Sequence, residues 1–575
     1  MSPRTCHDSA RSESHTCNIS HIVRQLSYRI AATTWGCMNL DSTLWDDIVI
    51  GAGSAGCVVA ARLSENTSRR VLVLEAGPRD VWLMKPFGLS YYLDFSRFEW
   101  GFSSQPDSTR NLRTDHWRRG RVVGGSGSIN GMNYVRGARV DYDRWAAMGN
   151  VGWSADDVMP LFRDMERCEP GYHVPPDYLI RGNSGPLPIR EVRHCHPLTE
   201  AFLAAAQAAG IPRTHDFNGS QQEGVGYGQF NQRRGMRVSS ADAWLKPALR
   251  RKNLQLVTDA LVQKLQVKDG KVTGVTYECD GVVREARAGR VILCGGAINT
   301  PQLLMLSGIG DGKDLQSLGI DVVAHHPGVG RNLMEHPLIR PTWRVRGTSY
   351  SPTSSMLRMA GFGAKYLLTG QGPLATITEA MGFLRTSPAE PVPDVHMLFS
   401  LAGAVNDDEM KFYKSLKVLP YPSFSMVLDK SYPLSRGTIR LASADPKAAP
   451  LIEPNLLADH GDVETLVKAI RVLRRIVSKS PLADMVMEEV EPGPHVTSEA
   501  ALVEYVKARA GLAYHASGTC RMGVDETAVV TPDLKVRGLE NLWIADASVM
   551  PDLISGNINA ACMMIGEKLG RQLRN

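Results

Sequence analysis

Residues 46–77 read DDIVIGAGSAGCVVAARLSENTSRRVLVLEAG, and this stretch decides the fold class. DDIVI is a short apolar run typical of a buried parallel strand. A glycine-rich turn follows it, and the alanine-rich segment CVVAARLSE after the turn favours a helix. VLVLEAG, from residue 71, is a second apolar strand. A strand, a helix and a strand within about thirty residues predict a βαβ unit and therefore an α/β fold.

The turn has the form GxGxxG, with Gly51, Gly53 and Gly56. The first glycine permits the tight turn, the second lets the backbone approach a pyrophosphate, and the third lets the helix pack closely on the sheet. The free N–H groups and the dipole of the helix N-terminus favour an anion there. Glu75 ends the second strand, where an acid accepts hydrogen bonds from a ribose and repels a 2′-phosphate. The pattern predicts a bound dinucleotide and leaves NAD and FAD both open.

A second glycine-rich segment, GRVVGGSGSIN, occupies residues 120–130. Its many small residues suit a backbone that is pressed against a flat ring or a phosphate. Taken alone, the segment fits a flexible loop equally well. The choice between a ligand-binding segment and a flexible loop therefore depends on the surrounding sequence.

Six segments of the sequence carry a resemblance to a known family. They are GRVVGGSGSINGMNYVRGARVDYD (120–143), GAINTPQLLMLSGIG (296–310), PGVGRNLMEHP (327–337), SRGTIRLAS (435–443), YHASGTCRMG (514–523) and LWIADASVMPDLISGNINAACMMIGEK (542–568). The first two resemble the two signatures of the glucose–methanol–choline (GMC) oxidoreductases, and the other four follow in the family order. The resemblance covers residues 45–572.

The resemblance implies an α/β protein with two structural domains. A Rossmann-like FAD-binding domain, assembled from discontinuous segments, is expected at residues 44–160, 225–335 and 512–575. A substrate domain with an antiparallel sheet flanked by helices is expected at residues 161–224 and 336–511. Residues 1–43, rich in Ser, Thr and Arg, are expected to be a disordered or spurious extension, and an organellar transit peptide is the alternative.

The resemblance also implies site residues. Those carried over to FAD binding are Gly51, Gly53, Ser54, Gly56, Glu75, Arg121, Val123, Gly125, Ser126, Asn130, Gly131, Met132, Val135, Val262, Asp546, Ala547 and Asn559. We expect non-covalent FAD, because Ile129 stands where some relatives carry a histidine that links the cofactor. Asn559 has a plain alternative as a helix N-cap. Glu335 replaces an aspartate that is common in the family, and His336 beside it is assigned a structural role.

The catalytic pair carried over is His515 and Asn557. A hydride leaves an alcohol carbon readily only as the hydroxyl proton departs, and histidine is the base whose pKa lies nearest to neutral pH. An asparagine can donate a hydrogen bond to the oxygen as alkoxide character develops. The resemblance thus predicts oxidation of a substrate alcohol to an aldehyde or ketone, with hydride transfer to flavin N5 and His515 as general base. The alternative is lyase or decarboxylase chemistry on the same scaffold, without net redox turnover.

The expected partners are a small-molecule alcohol and an electron acceptor, either oxygen or a quinone-like compound. The net charge of +6 is spread over 575 residues without a dense basic run, which argues against nucleic acid. No apolar stretch is long enough for a transmembrane segment and no secretory signal is visible, so a cytoplasmic location is expected, with peripheral membrane contact left open.

His194 and His196 flank Cys195 without a fourth ligand nearby, so no metal site is expected. Lys468, Arg471, Arg474 and Arg475 are interpreted as a solvated helix face, with binding to a membrane surface or to an acidic partner as the alternative.

Overall fold

Two β-sheets organise the chain. The computed structural model describes residues 43–91, 96–192, 195–351, 356–406 and 416–574. The extension expected at residues 1–43 therefore lies outside the described residues except for Thr43. From Thr43 onward the chain forms one unit.

The first sheet has seven strands and is parallel at its centre. Its order is Leu254–Val257, Val71–Leu74, Leu44–Ile50, Val282–Leu293, Lys271–Cys279 and Ala260–Lys268, with Leu542–Ile544 also paired to Val282–Leu293. Ile48 pairs with Leu72 on one side and with Val291 on the other, and all three are fully buried. Burial on both faces explains why these strands are continuous apolar runs in the sequence.

The strand Val282–Leu293 changes partners along its length. Its first half pairs antiparallel with Lys271–Cys279, and its second half pairs parallel with the first strand of the βαβ unit. Asp269 and Gly270 make the turn before Lys271–Cys279 with φ values of 52° and 73°, and an Asp-Gly pair is typical of such hairpin turns. An antiparallel meander is thereby attached to the parallel sheet.

The glycine turn is closed by backbone contacts. Gly51 has φ +97°, and a Cβ added there would lie 2.5 Å from the carbonyl oxygen of Cys294, so only glycine fits. The helix Gly56–Leu63 starts from this turn, and the C-terminal helix Asn559–Leu573 packs on it. Arg62 and Glu567 join the two helices through a 2.8 Å ion pair. The far end of the chain is thereby held beside the first turn.

The second sheet has eight strands: Val486–Glu491, Thr342–Val345, Ser423–Lys430, Val395–Ser400, Thr378–Leu384, Gly224–Tyr227, Pro337–Ile339 and Gly511–Leu512. Every pairing in it is antiparallel. One face packs on the helices Pro197–Ala208 and His460–Val477, where Phe202 stacks on Phe399 at a ring distance of 4.5 Å. The opposite face carries Leu398, which lines a large cavity.

The fold class predicted from the sequence is confirmed, with one sheet that is parallel at its centre and an antiparallel sheet flanked by helices. The strand Gly224–Tyr227 spans the expected boundary at residue 225 and pairs with Thr378–Leu384, so it belongs to the second sheet. The other domain boundaries stay predictions.

Smaller elements connect the two sheets. The remaining α-helices are Arg139–Ala147, Ala155–Met165, Lys246–Ala248, Gly296–Leu306, Gly312–Ser317, Met356–Thr369, Leu482–Met485 and Glu499–Arg509. The short strands are Phe102–Ser103, His116–Trp117, Glu166–Cys168, Leu187–Glu191, Gln229–Phe230, Gln232–Arg233, Met236–Arg237, Ile309–Gly310, Ala324–His325, Ala404–Asn406, Leu416–Val418, Thr438–Arg440 and Leu451–Glu453. None of the described helices has both the length and the apolar composition needed to span a bilayer.

Candidate active site

A cavity of about 1760 Å³ lies between the two sheets. It extends from the glycine turn and Glu75, on the parallel sheet, to Leu398 and Asp429, on the antiparallel sheet. Ordinary small-molecule pockets measure roughly 300–1,000 Å³. The cavity therefore has room for a dinucleotide together with a small substrate.

Glu75 joins the first glycine turn to the end of its own strand. One carboxylate oxygen accepts a hydrogen bond from the Ala52 N–H at 2.8 Å, and the other accepts one from the Gly77 N–H at 2.9 Å. Burial raises the pKa of this carboxyl to about 7, although both hydrogen bonds act in the opposite direction. Each oxygen keeps a lone pair with which it can accept a ribose hydroxyl.

The two glycine-rich segments lie backbone against backbone. The Gly124 N–H donates to the Ala52 carbonyl at 2.7 Å. Gly125 has φ +54°, and a Cβ there would lie 2.7 Å from the Cα of Gly53. No side chain can enter this contact. The two segments form a narrow backbone cradle, which fits the pyrophosphate of FAD.

His515 and Asn557, which the sequence predicts to be the catalytic pair, contact each other on the cavity wall. The Nε2 atom of His515 lies 3.1 Å from the Asn557 amide nitrogen, and its Nδ1 atom lies 2.8 Å from Nδ1 of His336. His336 Nε2 lies 3.1 Å from the Ser431 carbonyl, which can only accept, so this nitrogen carries a proton. A neutral His336 therefore has a bare Nδ1, which accepts the Nδ1–H of His515. The lone pair of His515 consequently lies on Nε2, beside Asn557.

Burial keeps this imidazole neutral. The pKa of His515 lies well below its ordinary value because of burial and then because of His336, whereas Asp429 acts in the opposite direction. Burial also lowers the pKa of His336. The pKa of the Asp429 carboxyl is lowered, since the neighbouring histidines outweigh its burial. A negative charge is thus present near His515, and it favours the imidazolium that forms when His515 takes a proton.

Glu335 fixes both histidine backbones. One of its carboxylate oxygens accepts from the His515 N–H at 2.6 Å and from the His336 N–H at 3.0 Å. Burial raises its pKa to about 7. Arg119 lies 3.8 Å from the other oxygen. His336 therefore has more than the structural role expected for it, because its ring also contacts His515, the predicted catalytic base.

The cavity brings together all but three of the site residues predicted from the sequence. Those that line it are Gly51, Gly53, Ser54, Glu75, Arg121, Gly125, Ser126, Asn130, Gly131, Met132, Val262, His515, Asp546, Ala547, Asn557 and Asn559. Gly56, Val123 and Val135 do not. A Cβ on Gly56 would lie 3.0 Å from Cys294 Cβ, Val123 donates its N–H to the Pro78 carbonyl, and Val135 packs in a small apolar cluster. Gly56, Val123 and Val135 therefore lie behind the residues that line the cavity.

Two predicted residues are already held by the chain's own groups. Asp546 accepts hydrogen bonds from the Gly296 N–H and the Thr300 hydroxyl through one oxygen, at 2.8 and 2.7 Å. Asn559 is the first residue of the C-terminal helix rather than its N-cap, and it accepts from the Ser54 hydroxyl at 2.6 Å. Asn559 thus joins the last helix to the first glycine turn.

Arg237 is a site residue that the sequence does not reveal. Its buried guanidinium donates to the Asn130 side chain and carbonyl, both at 2.6 Å, and to the Gly127 carbonyl at 3.2 Å. Burial lowers its pKa to about 9. Arg237 lies outside the family motifs and contacts residues more than a hundred positions earlier, so no local signal identifies it.

Comparison with known proteins decides the family. Two family models, both described as GMC oxidoreductase, match residues 45–338 and 433–566. The chain belongs to the GMC oxidoreductase family. It is accordingly an FAD-dependent oxidoreductase of the class that acts on CH–OH groups, and the resemblance inferred from the motifs is confirmed.

Similar GMC proteins match over almost the whole described region. The mitochondrial choline dehydrogenase of Mus musculus is 40% identical over 537 residues, which are 91% of this chain and 88% of that protein. The alcohol dehydrogenase [acceptor] of Pseudomonas putida is 38% identical over 91% of this chain and 94% of its own. Among solved structures, the pyridoxine 4-oxidase from Mesorbium loti has a TM-score of 0.82 and 30% identity, over 92% of this chain and 99% of that one.

We expect Gly125→Ala to lose most of its bound FAD. The new Cβ would overlap the Cα of Gly53, and alanine at this positive φ is strained by a further amount of about 1–2 kcal/mol. The flavin-to-protein ratio of purified material measures the effect. Gly270→Ala is the matched control, since Gly270 has φ +73° and open space around it. Similar flavin ratios in the two variants would show that the close contact at Gly125 is unimportant for FAD.

Proposed function

We propose that this GMC oxidoreductase oxidises a substrate alcohol to an aldehyde or ketone, with His515 as the general base. The observation that carries the proposal is the direction of the His515 lone pair. Nε2 is bare, it lies beside Asn557, and both residues line the cavity. A general base has to be within hydrogen-bond reach of the proton it removes and has to be neutral at working pH.

FAD, when bound, supplies the acceptor of the hydride at flavin N5. The two glycine segments and Glu75 would hold its pyrophosphate and ribose. Ile129 lines the same cavity and has no nucleophilic atom, which supports non-covalent attachment at this position. Precipitation with acid tests this point, since FAD that stays in the protein pellet would contradict it.

Asn557 would hold the substrate oxygen. Its amide nitrogen donates toward His515 Nε2, and its Oδ1 atom is buried without a hydrogen-bond partner among the described residues. A substrate hydroxyl entering between the two side chains donates its proton to His515 and accepts a hydrogen bond from the Asn557 amide. The Asn557 donor then strengthens its bond as alkoxide character develops on the oxygen.

Anaerobic flavin reduction tests the proposed reaction. Choline and aliphatic, aromatic, furanic and polyol alcohols are mixed in turn with the oxidised holoenzyme, and the flavin absorbance is followed. Bleaching by at least one alcohol supports the proposal. Product formation without bleaching would instead indicate the lyase or decarboxylase alternative. Mixing the reduced enzyme with oxygen or with a soluble quinone then identifies the electron acceptor.

We expect the rate of flavin reduction to remain on its plateau as the pH falls through 6.5, the ordinary value for histidine. A base whose pKa is lowered stays neutral below that value, so the acidic limb of the pH profile lies at lower pH. Stopped-flow reduction with a saturating alcohol measures the limb. An acidic limb of the rate profile with its midpoint at or above pH 6.5 would contradict the expectation. Glu335→Gln is the control, because it removes a carboxyl whose pKa is raised to about 7 and which contacts both histidine backbones.

A further inference from the structure

The helix Met356–Thr369 forms part of the cavity wall and exposes apolar side chains on its other side. Phe362 lines the cavity. Leu367 and Leu368, near the end of the helix, are 84% and 86% exposed. The helix sequence MLRMAGFGAKYLLT contains no acidic residue. Two adjacent leucines this exposed at the wall of a ligand cavity are unusual for a surface that faces only water.

Cations lie beside these leucines. Lys365 is exposed on the same helix. Gly370 follows the helix and packs on the backbone of the Arg233–Arg234 turn, where a Cβ on Gly370 would lie 2.6 Å from the Arg234 carbonyl carbon. Arg233 and Arg234 are both exposed, and neither they nor Lys365 form an ion pair with a described residue. Lys365 acts only electrostatically on the buried Glu379 carboxyl, whose pKa burial raises and Lys365 lowers, so among the described residues the positive charge of Arg233 and Arg234 has no ion-pair partner.

Trp82 extends the same surface and is 65% exposed. It begins a short turn whose third residue, Met84, lines the cavity. The Lys85 carbonyl accepts from the Arg237 N–H at 2.9 Å, which ties this turn to the hairpin that carries Arg233 and Arg234. We call the set Trp82, Arg233, Arg234, Lys365, Leu367 and Leu368 the entrance patch.

We propose that the entrance patch docks on the surface of a membrane that contains anionic phospholipid. Leucine and tryptophan side chains partition into the boundary between headgroups and acyl chains, and basic residues are attracted to anionic headgroups. The entrance patch presents both kinds of side chain and no acidic group. Docking is a property beyond the oxidation proposed above and does not depend on it.

A second copy of the chain is a poorer occupant. A twofold interface places the same patch on both sides, so the basic patch of one copy would face an equally basic patch on the other. The basic face of the helix His460–Val477 is also a poorer candidate for the membrane. Arg471 pairs with Glu499, and Arg474 pairs with Glu489, so those charges are already compensated. Arg471 is exposed, as the predicted solvated face requires, whereas Arg474 is largely buried against Glu489.

Vesicle co-sedimentation of the holoenzyme tests the proposal. Wild-type protein is expected to bind vesicles of phosphatidylcholine mixed with phosphatidylglycerol, and to bind pure phosphatidylcholine more weakly. The double variant Leu367→Glu/Leu368→Glu is expected to lower the partition coefficient by at least about tenfold, because both apolar anchors become charges that the lipid repels. Arg233→Glu/Arg234→Glu is expected to remove the preference for phosphatidylglycerol. Leu179→Glu is the matched control, since Leu179 is equally exposed, at 84%, in a turn elsewhere in the chain.

Flavin content and alcohol-dependent reduction without vesicles verify that each variant is folded, because no residue of the entrance patch contacts the catalytic pair. Wild-type protein that stays in the supernatant with both vesicle types would overturn the proposal. Equal binding by wild type and the double leucine variant would do the same. Loss of self-association in the double variant, without a change in vesicle binding, would assign the patch to a second copy instead.

Discussion

Replacing His515 by alanine is expected to lower the rate constant of flavin reduction by about 10³-fold while FAD stays bound. General-base catalysis by a positioned side chain contributes roughly 10²–10⁴-fold, and the Nε2 lone pair of His515 is placed for this role by two hydrogen bonds. Cofactor retention is expected because the glycine cradle does not include the imidazole. Stopped-flow absorbance under anaerobic conditions gives the rate constant, and the flavin-to-protein ratio gives the occupancy.

The control for His515→Ala is His326→Ala. The His326 imidazole lies 2.6 Å from the Arg537 carbonyl and outside the cavity lining, so it shares the residue type without the location. Its rate constant is expected to remain within about twofold of wild type, as for a substitution away from the site. Nearly unchanged flavin reduction in His515→Ala would show that another group takes the proton.

The parallel sheet and the first turn could be predicted because their signals are local. DDIVI and VLVLEAG are apolar runs of strand length, and a GxGxxG turn with Glu75 after it has few structural explanations. The hairpin at Asp269-Gly270 follows from the same kind of local chemistry. The expected boundary at residue 225 divides the strand Gly224–Tyr227, because its four residues carry no periodicity that tells which sheet they join.

The candidate site could be predicted to the level of segments. Motif spacing places the backbone of residues 120–135 beside the first turn, but it does not show that Val123 and Val135 point away from the cavity. The contact between His336 and His515 joins residues 179 positions apart. Sequence alone cannot show such a pairing, because it depends on how Glu335 holds both backbones.

Replacing His336 by leucine is expected to lower the rate constant of flavin reduction by about 10²-fold. Leucine cannot accept the Nδ1–H of His515, so the imidazole can move its proton to Nε2, where it no longer acts as a base. Loss of the correct tautomer in the Ser-His-Asp triad has an effect of this kind and of larger size. The apparent affinity for the alcohol is expected to change little, because His336 lies behind His515 and lines no part of the cavity.

Two measurements separate this positioning role from a merely structural one. His336→Gln provides an oxygen that accepts the Nδ1–H, so it is expected to recover most of the rate that His336→Leu loses. The second measurement is the pH profile. His336 that has become protonated at low pH lowers the pKa of His515 by charge repulsion, so the acidic limb of the profile is expected to move to higher pH when leucine replaces it. A general loss of packing would reduce both variants alike and leave the limb in place, and this outcome would assign His336 to the fold alone.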